Sequence, residues 1–332
     1  MKLARRIFLL ISLMVILLSI TGVNQLSELA NFQFKAEVEK NFFNGLPGSN
    51  NQILVVKIDD SNPAHPQIGV EDADLVYVEQ VEGGITRLAA IYTSKLPPLI
   101  GPIRSARISD LEILSQFGRV GFAYSGAQSK MRPVIAAANL ENLSAERNPP
   151  SIYGKDPNRP GPVNMILKPD LLLERANANP KIRIDTAITP PFIFGEQPAA
   201  VAITSSVKVK WPSARYELRW DVESSKWLIY FNDKPKLAAS GLHLYADTAI
   251  IQIVSITPSI YGDKFGEITP FSKTTGSGKA VLLRDGFAYP VDWQRNLESD
   301  VTSWRSADGK DVKFKAGKIW ILLTDKPPVL AP

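Results

Sequence analysis

The sequence of 332 residues predicts an α+β or α/β N-terminal domain followed by a mostly-β C-terminal domain, with one transmembrane or signal segment in front of them. Three observations predict this organisation. In the first half, short β-branched runs alternate with segments that carry helix-start signals. In the second half, strand-like runs are separated by turn signals, and no long helical pattern occurs. At the N-terminus, a basic flank precedes an apolar run.

The first 23 residues are predicted to be a signal anchor. Lys2, Arg5 and Arg6 precede the apolar run Ile7–Val23, and such a flank stays in the cytoplasm while the rest is directed outward. The run of about 17 residues is at the lower limit for a membrane span. Because no clear cleavage site follows, we expect a single-pass cell-membrane protein with an extracytoplasmic body. A cleaved signal, which would give a secreted protein, is the alternative.

The body is predicted to consist of two domains. A linker is expected at residues 24–50, and the N-terminal α/β domain at residues 51–190. Prolines mark a second linker at residues 191–198. The mostly-β C-terminal domain is expected at residues 199–330. Each domain is long enough to bury a core of its own.

In the first domain, β-branched and aromatic runs predict strands, and helix-start residues predict helices. The predicted strands are Gln52–Ile58, Leu75–Val81, Thr86–Tyr92 and Val120–Tyr124. The predicted helices are about 110–118, Arg132–Leu140 and Pro169–Ala178. Ser109 and Glu112 have the S-x-x-E spacing of a capping box, which predicts the start of the first helix. Residues 148–162, rich in Pro, Gly and Asn, are predicted to be a loop.

In the second domain, strands are predicted throughout. They are Tyr216–Trp220, Trp227–Asn232, Ala249–Ile256, Lys279–Leu283, Phe287–Trp293 and Lys318–Leu323. The dipeptide Asp285-Gly286 is typical of a tight hairpin turn. Four tryptophans lie in or beside these strands. We expect them to pack in the core, and a sugar-stacking face is the alternative.

Composition excludes several classes of function. The formal charge is +5, but residues 1–23 contribute three basic residues and no acidic one, which leaves 35 Lys and Arg against 33 Asp and Glu, or +2. This near-neutral body argues against a nucleic-acid-binding protein. The absence of cysteine excludes disulfides, cysteine nucleophiles and cysteine-ligated zinc, and two histidines exclude a histidine-rich metal site. We predict no cofactor and no metal.

Several strings in the body resemble the YerB-like lipoprotein family, whose domains have no assigned function. The specific strings are Glu82-Gly-Gly-Ile-Thr-Arg87 and Gly101-Pro-Ile-Arg-Ser-Ala-Arg107, and Gly276-Ser-Gly-Lys-Ala-Val-Leu-Leu-Arg-Asp-Gly286 continues the similarity in the second half. The resemblance covers nearly the whole body and implies a two-domain extracytoplasmic bacterial protein. Many members carry a lipid-modified cysteine, and this chain has none.

The arginines of these strings predict an anion-binding site. Arg104, Ser105 and Arg107 directly precede a predicted helix start, where free N–H groups and a partial positive charge favour anions. Two guanidiniums beside that helix end can hold a phosphate or a carboxylate in bidentate fashion. Arg87, from the other string, is expected to join them.

Acidic residues end the two strands next to these arginines. Asp59 and Asp60 follow the first strand, and Glu79 and Glu82 close the second, so both pairs can fall at one sheet edge. The simplest alternative to a binding site is that these acids and the arginines form a structural ion-pair network. A second alternative is catalysis by Asp60, Glu79 or Glu82. The same oxygens can also hold Ca²⁺ or Mg²⁺.

The sequence therefore predicts an extracytoplasmic membrane-anchored protein that binds an anionic cell-wall polymer or an envelope protein partner. The membrane contact would be made through residues 7–23. The alternative function is that of a cell-wall-directed hydrolase. The predicted ligand-binding residues are Arg87, Arg104, Ser105, Arg107, Glu79 and Glu82.

Overall fold

The computed structural model describes residues 38–196, 203–263 and 265–332. The predicted signal anchor at residues 1–23 and most of the linker at residues 24–50 lie outside this described part of the chain. Within the described ranges, no helix is both long enough and apolar enough to cross a membrane.

The first half contains three α-helices and seven strands among its described residues, and every helix and strand predicted there is confirmed. The helices are α1 (Ile108–Ser115), α2 (Arg132–Ala137) and α3 (Pro169–Asn177). The strands are β1 (Leu54–Asp59), β2 (Leu75–Gln80), β3 (Thr86–Tyr92), β4 (Val120–Ala123), β5 (Leu140–Asn142), β6 (Tyr153–Lys155) and β7 (Met165–Leu167). The loop prediction for residues 148–162 is wrong at β6, which pairs with β7.

The second half contains strands and no α-helix among its described residues. The strands are β8 (Ser206–Lys210), β9 (Arg215–Asp221), β10 (Lys226–Phe231), β11 (Lys234–Pro235), β12 (Tyr245–Ala246), β13 (Thr248–Ile253), β14 (Ser255–Gly262), β15 (Ile268–Lys273), β16 (Gly276–Arg284), β17 (Phe287–Arg295), β18 (Ser303–Arg305), β19 (Ile319–Thr324) and β20 (Val329–Ala331). The predicted hairpin at Asp285-Gly286 is confirmed by the pairing of β16 with β17, and β9 pairs with β10 in a second hairpin. Asp285 and Gly286 have the positive φ angles, 52° and 80°, that a two-residue hairpin turn needs.

Ten strands from both halves form one mixed sheet, in the order β18-β17-β16-β13-β19-β2-β3-β1-β4-β5. The parallel pairing of β19 with β2, with Ile321 opposite Tyr77, joins the halves. The predicted linker at residues 191–198 therefore does not separate two sheets. A hydrophobic pattern identifies a strand but does not specify its partner, so sequence reasoning could not foresee this pairing.

The side chains of the large sheet alternate between two faces. Leu54 and Val56 of β1 pack toward a second sheet, ordered β11-β10-β9-β8-β20 with β12 beside β10. Val55 packs on the opposite face, in the core that contains α1 and α2. Lys57 and Asp59 follow Val55 at spacings of two residues, so they share the helix-covered face.

The tryptophans of the second half lie mainly in the core, as expected. Trp211, Trp227 and Trp293 are 6%, 0% and 3% exposed. Trp220 is half-buried and packs its ring against Trp227 at 5.5 Å between centroids. The alternative of a sugar-stacking face is not supported by side chains buried to this extent.

Residues 40–50, predicted to be linker, are instead part of the packed body. Phe43 is 1% exposed and lies 5.2 Å from Phe117 between ring centroids. The Asn44 side-chain amide donates a hydrogen bond of 2.6 Å to the buried carboxylate of Asp74. Asparagine is common in loops, which is why composition suggested a linker, but here its amide satisfies a buried acid.

Helix α1 is confirmed, but its predicted cap is wrong. Arg107 is the N-cap residue, and its backbone N–H donates to the Asp110 carboxylate at 2.6 Å. Ser109 lies inside the helix, and the Glu112 carboxylate accepts from the backbone N–H of Thr274 at 2.6 Å. The capping acid is therefore Asp110, three residues after Arg107, and Glu112 instead binds the turn between β15 and β16.

We expect Phe43→Ala to lower the free energy of unfolding by about 3–5 kcal/mol, because a fully buried phenyl ring is replaced by a cavity. The measurement is urea denaturation of the purified protein. Leu46→Ala, at a position that is 45% exposed, is the control and should cost about 1 kcal/mol or less. Equal effects of the two substitutions would show that this segment is a linker after all.

Candidate functional site

An open cleft of about 860 Å³ lies at one edge of the large sheet. Strands β1 and β2 are both antiparallel to β3, which lies between them, so they end at the same edge. The hairpin of β14 and β15, called the flap below, forms one wall. The lining includes Glu82, Arg87, Arg104, Ser105, Arg107, Ser125, Gln128, Asp263 and Glu267.

The cleft brings together five of the residues that the sequence singled out. Arg87 is the second residue of β3, and Glu82 lies in the turn that precedes this strand. The segment with Arg104, Ser105 and Arg107 runs beside β1, where the backbone N–H of Arg104 donates to the Lys57 carbonyl at 2.8 Å. Two strings that are separate in the sequence therefore meet at one surface.

Two of the three arginines form ion pairs with the predicted acids. Arg104 Nε lies 2.7 Å from Asp59 Oδ2, and Arg107 Nε lies 2.6 Å from Glu82 Oε1. Burial alone would raise the pKa of Glu82, but the Arg107 guanidinium lowers it below its ordinary value. Glu82 is therefore a carboxylate at neutral pH, and the structural ion-pair network is present for these two arginines.

Arg87 is different, because no ion pair forms at its guanidinium within the described residues. Its side chain donates to the Ser105 carbonyl at 2.9 Å, and its Nε has no hydrogen-bond partner. Its neighbours in the sheet register are Asp59 and Glu79. Both carboxylates are engaged elsewhere, Asp59 by an arginine and Glu79 by Lys57.

The environment of Arg87 disfavours its charge. Arg87 is 5% exposed, and burial together with the neighbouring charges of Arg107 and Arg104 lowers its pKa to about 9. The guanidinium is still charged at pH 7. Glu82 and Asp59 attract this charge but form no ion pair with it. A buried charge without an ion pair is costly, so a negative group placed in the cleft would be stabilised by it.

Glu79 lies beneath the floor of the cleft and does not line it. It is fully buried and forms an ion pair with Lys57, which lies 2.7 Å from Asp110 on its other side. Burial and the nearby Asp110 raise the pKa of Glu79 to about 7. Since Asp110 also caps α1, this carboxylate occupies the helix N-terminus that the sequence analysis had assigned to a ligand.

Asp60 lies on the opposite face of the sheet, away from the cleft. Its carboxylate accepts hydrogen bonds of 2.6 Å from both Thr86 and Tyr216, forms an ion pair with Lys236 and lies 3.0 Å from the Nε2 atom of His65. Burial alone would raise the pKa of Asp60, but Lys236 and His65 hold it well below its usual range. Because adjacent residues of an extended chain point to opposite faces, the four predicted acids do not form one site.

Sequence reasoning missed several residues of the cleft. The hydroxyls of Ser125 and Ser105 are 3.3 Å apart, and Gln128 accepts a hydrogen bond from the backbone of the flap. Asp263 and Glu267 reach the cleft from the flap. The position of Ser125, two residues after β4, was a local signal for it, but no spacing in the sequence links the flap to the arginines.

The fold and the cleft define a class: a protein with a mixed central sheet and a polar cleft at its edge, in which a buried arginine forms no ion pair with any residue that the structure describes. The chain belongs to the family described as "Protein of unknown function (DUF3048)". The N-terminal domain of that family matches residues 44–182, and its C-terminal domain matches residues 207–321. The first match contains the arginines, and the second contains the flap.

The similar proteins confirm the resemblance to YerB. The chain is 43% identical over 274 residues to the "Putative lipoprotein YerB" of Bacillus subtilis (strain 168), which covers 81% of this chain and 80% of that protein. The crystal structure of the YerB protein from Bacillus subtilis superposes with a TM-score of 0.75 and 21% sequence identity, covering 89% of this chain and 100% of that one. The superposition confirms the fold.

We expect Glu79 to make the stability of the protein depend on pH. Its pKa in the folded state, about 7, lies above the ordinary value of 4.5, so the folded state binds this proton more tightly than the unfolded state. The resulting stabilisation is fully present below about pH 4.5 and is lost as the pH rises through 7. Between these limits, the stability of the wild type relative to Glu79→Gln should fall by roughly 2–3 kcal/mol.

Urea denaturation at a series of pH values measures this change. Glu174→Gln, at an exposed position of α3, is the matched control and should differ from the wild type by the same amount at every pH. If the wild type instead becomes more stable relative to Glu79→Gln as the pH rises, the raised pKa of Glu79 is contradicted.

Proposed function

We propose that the protein is an extracytoplasmic, membrane-anchored protein that binds the anionic group of a cell-envelope ligand in the cleft. The observation that carries this proposal is Arg87, which is 5% exposed, lines the cleft and has no ion-pair partner among the described residues. A phosphate or carboxylate would supply the missing counter-charge and accept charge-assisted hydrogen bonds.

The other two arginines are held ready for the same ligand. Asp59 and Glu82 each fix one guanidinium through its Nε atom, so these acids position Arg104 and Arg107. Ser105 adds a hydroxyl between them. Side chains that are already held in place lose little conformational entropy when a ligand arrives, which favours binding.

Glu79 supports the floor of this site from below. With Lys57 and Asp110 it forms a fully buried group of charges under the first turn of α1. In this proposal Glu79 contributes to ligand binding by positioning the segment that carries Arg107, whose backbone N–H donates to Asp110. It does not touch the ligand.

Two features support the proposed location. A basic flank followed by the apolar run Ile7–Val23 favours export of the body, and this run would be the membrane anchor. The Bacillus subtilis relative is named a lipoprotein. Of the two predicted partners, a wall polymer with anionic groups fits a concave cleft of about 860 Å³ better than the broad surface of a folded protein does.

Hydrolysis of wall material is the less supported function. Of the predicted catalytic acids Asp60, Glu79 and Glu82, only Glu82 lines the cleft, and its lowered pKa makes it a poor proton donor. We expect purified protein to leave peptidoglycan fragments unchanged in mass, with or without divalent cations. A cleaved product in the mass spectrum would establish the hydrolase instead.

We expect Arg87→Met to weaken binding of glycerol 3-phosphate by roughly tenfold or more, because a charge-assisted hydrogen bond contributes about 1.5–3 kcal/mol. Isothermal titration calorimetry measures the affinity. The same substitution should change the free energy of unfolding little, since it removes a buried charge and also the hydrogen bond to the Ser105 carbonyl.

The matched control is Arg219→Met, which removes a half-exposed arginine of β9 outside the cleft and should leave the affinity unchanged. Glycerol, which has the same carbon skeleton without the phosphate, should not bind. If glycerol 3-phosphate does not bind the wild type, or binds Arg87→Met equally well, the cleft is not an anion-binding site.

A further inference from the structure

The charges of the cleft are divided between two sides. The arginines occupy the floor, and two acids of the flap, Asp263 and Glu267, line the rim. A third acid of the rim, Glu146, is neutralised by Arg132 at 2.8 Å. Within the described part of the chain, neither Asp263 nor Glu267 has an ion-pair partner. Among the described residues, the rim therefore presents two carboxylates without an ion pair, opposite a floor on which Arg87 has no ion pair either.

The two acids of the flap are held in place by local contacts. Asp263 Oδ1 accepts the backbone N–H groups of Phe265 at 2.8 Å and of Glu267 at 3.0 Å, so it fixes the turn between β14 and β15. The Glu267 carboxylate lies against Gly83, where an added Cβ would come within 3.4 Å of its Oε2 atom. Glu267 thus stands over the turn next to Glu82.

The base of the flap is anchored to the arginine side of the cleft. Thr269 donates a hydrogen bond to the Glu82 carboxylate, and Glu112 of α1 accepts the backbone N–H groups of Thr274 and Thr275 at 2.6 and 2.7 Å. The acidic rim is therefore a fixed part of the cleft. Each of these contacts joins the two halves of the chain.

This division of charge selects against a ligand that is only negative. A wall polymer that carries only anionic groups would bring further negative charges toward Asp263 and Glu267, which repel them, so the polymer of the proposed function satisfies the cleft only where it also carries cations. A ligand with a single anionic group and a nearby cation satisfies both sides. Complementarity of this kind contributes more to specificity for one partner over another than to the total affinity.

We propose that the cleft binds a zwitterionic ligand, in which a phosphate or carboxylate lies on the arginine floor and an ammonium group lies at the Asp263–Glu267 rim. This inference rests on the proposed function, because it assigns the anionic end of the ligand to Arg87, Arg104 and Arg107. It adds the chemical class of the other end. Aminoalkyl phosphates and free amino acids share this chemistry.

A matched pair of probes tests the inference. O-phosphoethanolamine and ethyl phosphate have the same anionic group and the same two carbons, and they differ in the ammonium group. Calorimetry at pH 7.5 on the full-length protein should give a roughly tenfold lower Kd for O-phosphoethanolamine, as expected when a cation meets two unpaired carboxylates. A parallel titration with β-alanine shows whether a carboxylate replaces the phosphate as the anionic end.

The variant Asp263→Asn with Glu267→Gln keeps the size of both side chains, and the asparagine oxygen can still accept the hydrogen bonds of the turn. It should abolish the preference for O-phosphoethanolamine and keep, or strengthen, the binding of ethyl phosphate. Glu223→Gln, an exposed acid in the turn between β9 and β10, is the control and should keep the preference.

The outcomes separate this inference from the proposed function. If the wild type binds both phosphates equally, or if the double variant keeps the preference, the acidic rim does not bind an ammonium group. The proposed anion-binding site on the arginines is then retained without the further inference. If neither phosphate binds, and β-alanine does not bind either, the anion-binding function fails together with the inference.

Discussion

The parallel pairing of β19 with β2 holds the two halves of the chain in one sheet. Every residue of β19 is buried, and so are the residues of β2 that it faces, so no water competes for the hydrogen bonds between them. Strands β13, β16 and β17 follow β19 in the sheet. Since the flap lies between β13 and β16 in the chain, this pairing determines where the flap stands, and it brings the acids of the second half to the arginines of the first.

The alternation of side chains along the central strands determines which charges meet. Lys57, Asp59, Glu79 and Arg87 share one face of the sheet, and each carboxylate among them has a cation close by. Arg87 alone among these four forms no ion pair with a described residue, because its cross-strand neighbours Asp59 and Glu79 are already paired. In a buried network whose other members satisfy each other, a single unsatisfied charge is a feature that folding alone would not favour. This contrast separates the structural ion pairs from the group that a ligand would use.

Local patterns predicted the local structure well. The β-branched runs predicted β1, β2 and β3, and the pair Asp285-Gly286 predicted its hairpin. The arginines of the two strings were expected together, and they line one cleft. The cap of α1 was misplaced because Ser109 and Glu112 match a capping box. In the structure the Arg107 backbone N–H instead donates to Asp110, three residues later. The two-residue period of a strand already predicts that Asp59 and Asp60 point to opposite faces of the sheet.

Long-range structure was beyond the reach of these patterns. The packing of residues 40–50, the pairing of β6 with β7 and the approach of the flap all depend on which surfaces remain to be covered once the sheet has formed. The local sequence around Phe43 and the flap acids does not predict which part of the fold they contact. Their positions follow from the sheet order, which the hydrophobic pattern of single strands does not encode.

The hydrogen bond from Thr269 to Glu82 joins residues that are 187 positions apart. Contacts of such high sequence separation close large loops, and the entropy cost of that closure slows their formation. Until the second half is in place, the three arginines lack the opposite wall of the cleft. A molecule that needs both walls therefore binds the finished fold and no earlier form, and by mass action it stabilises the entire chain at once. Such a ligand would accordingly bind only completely folded copies of the protein, and incompletely folded copies would not bind it.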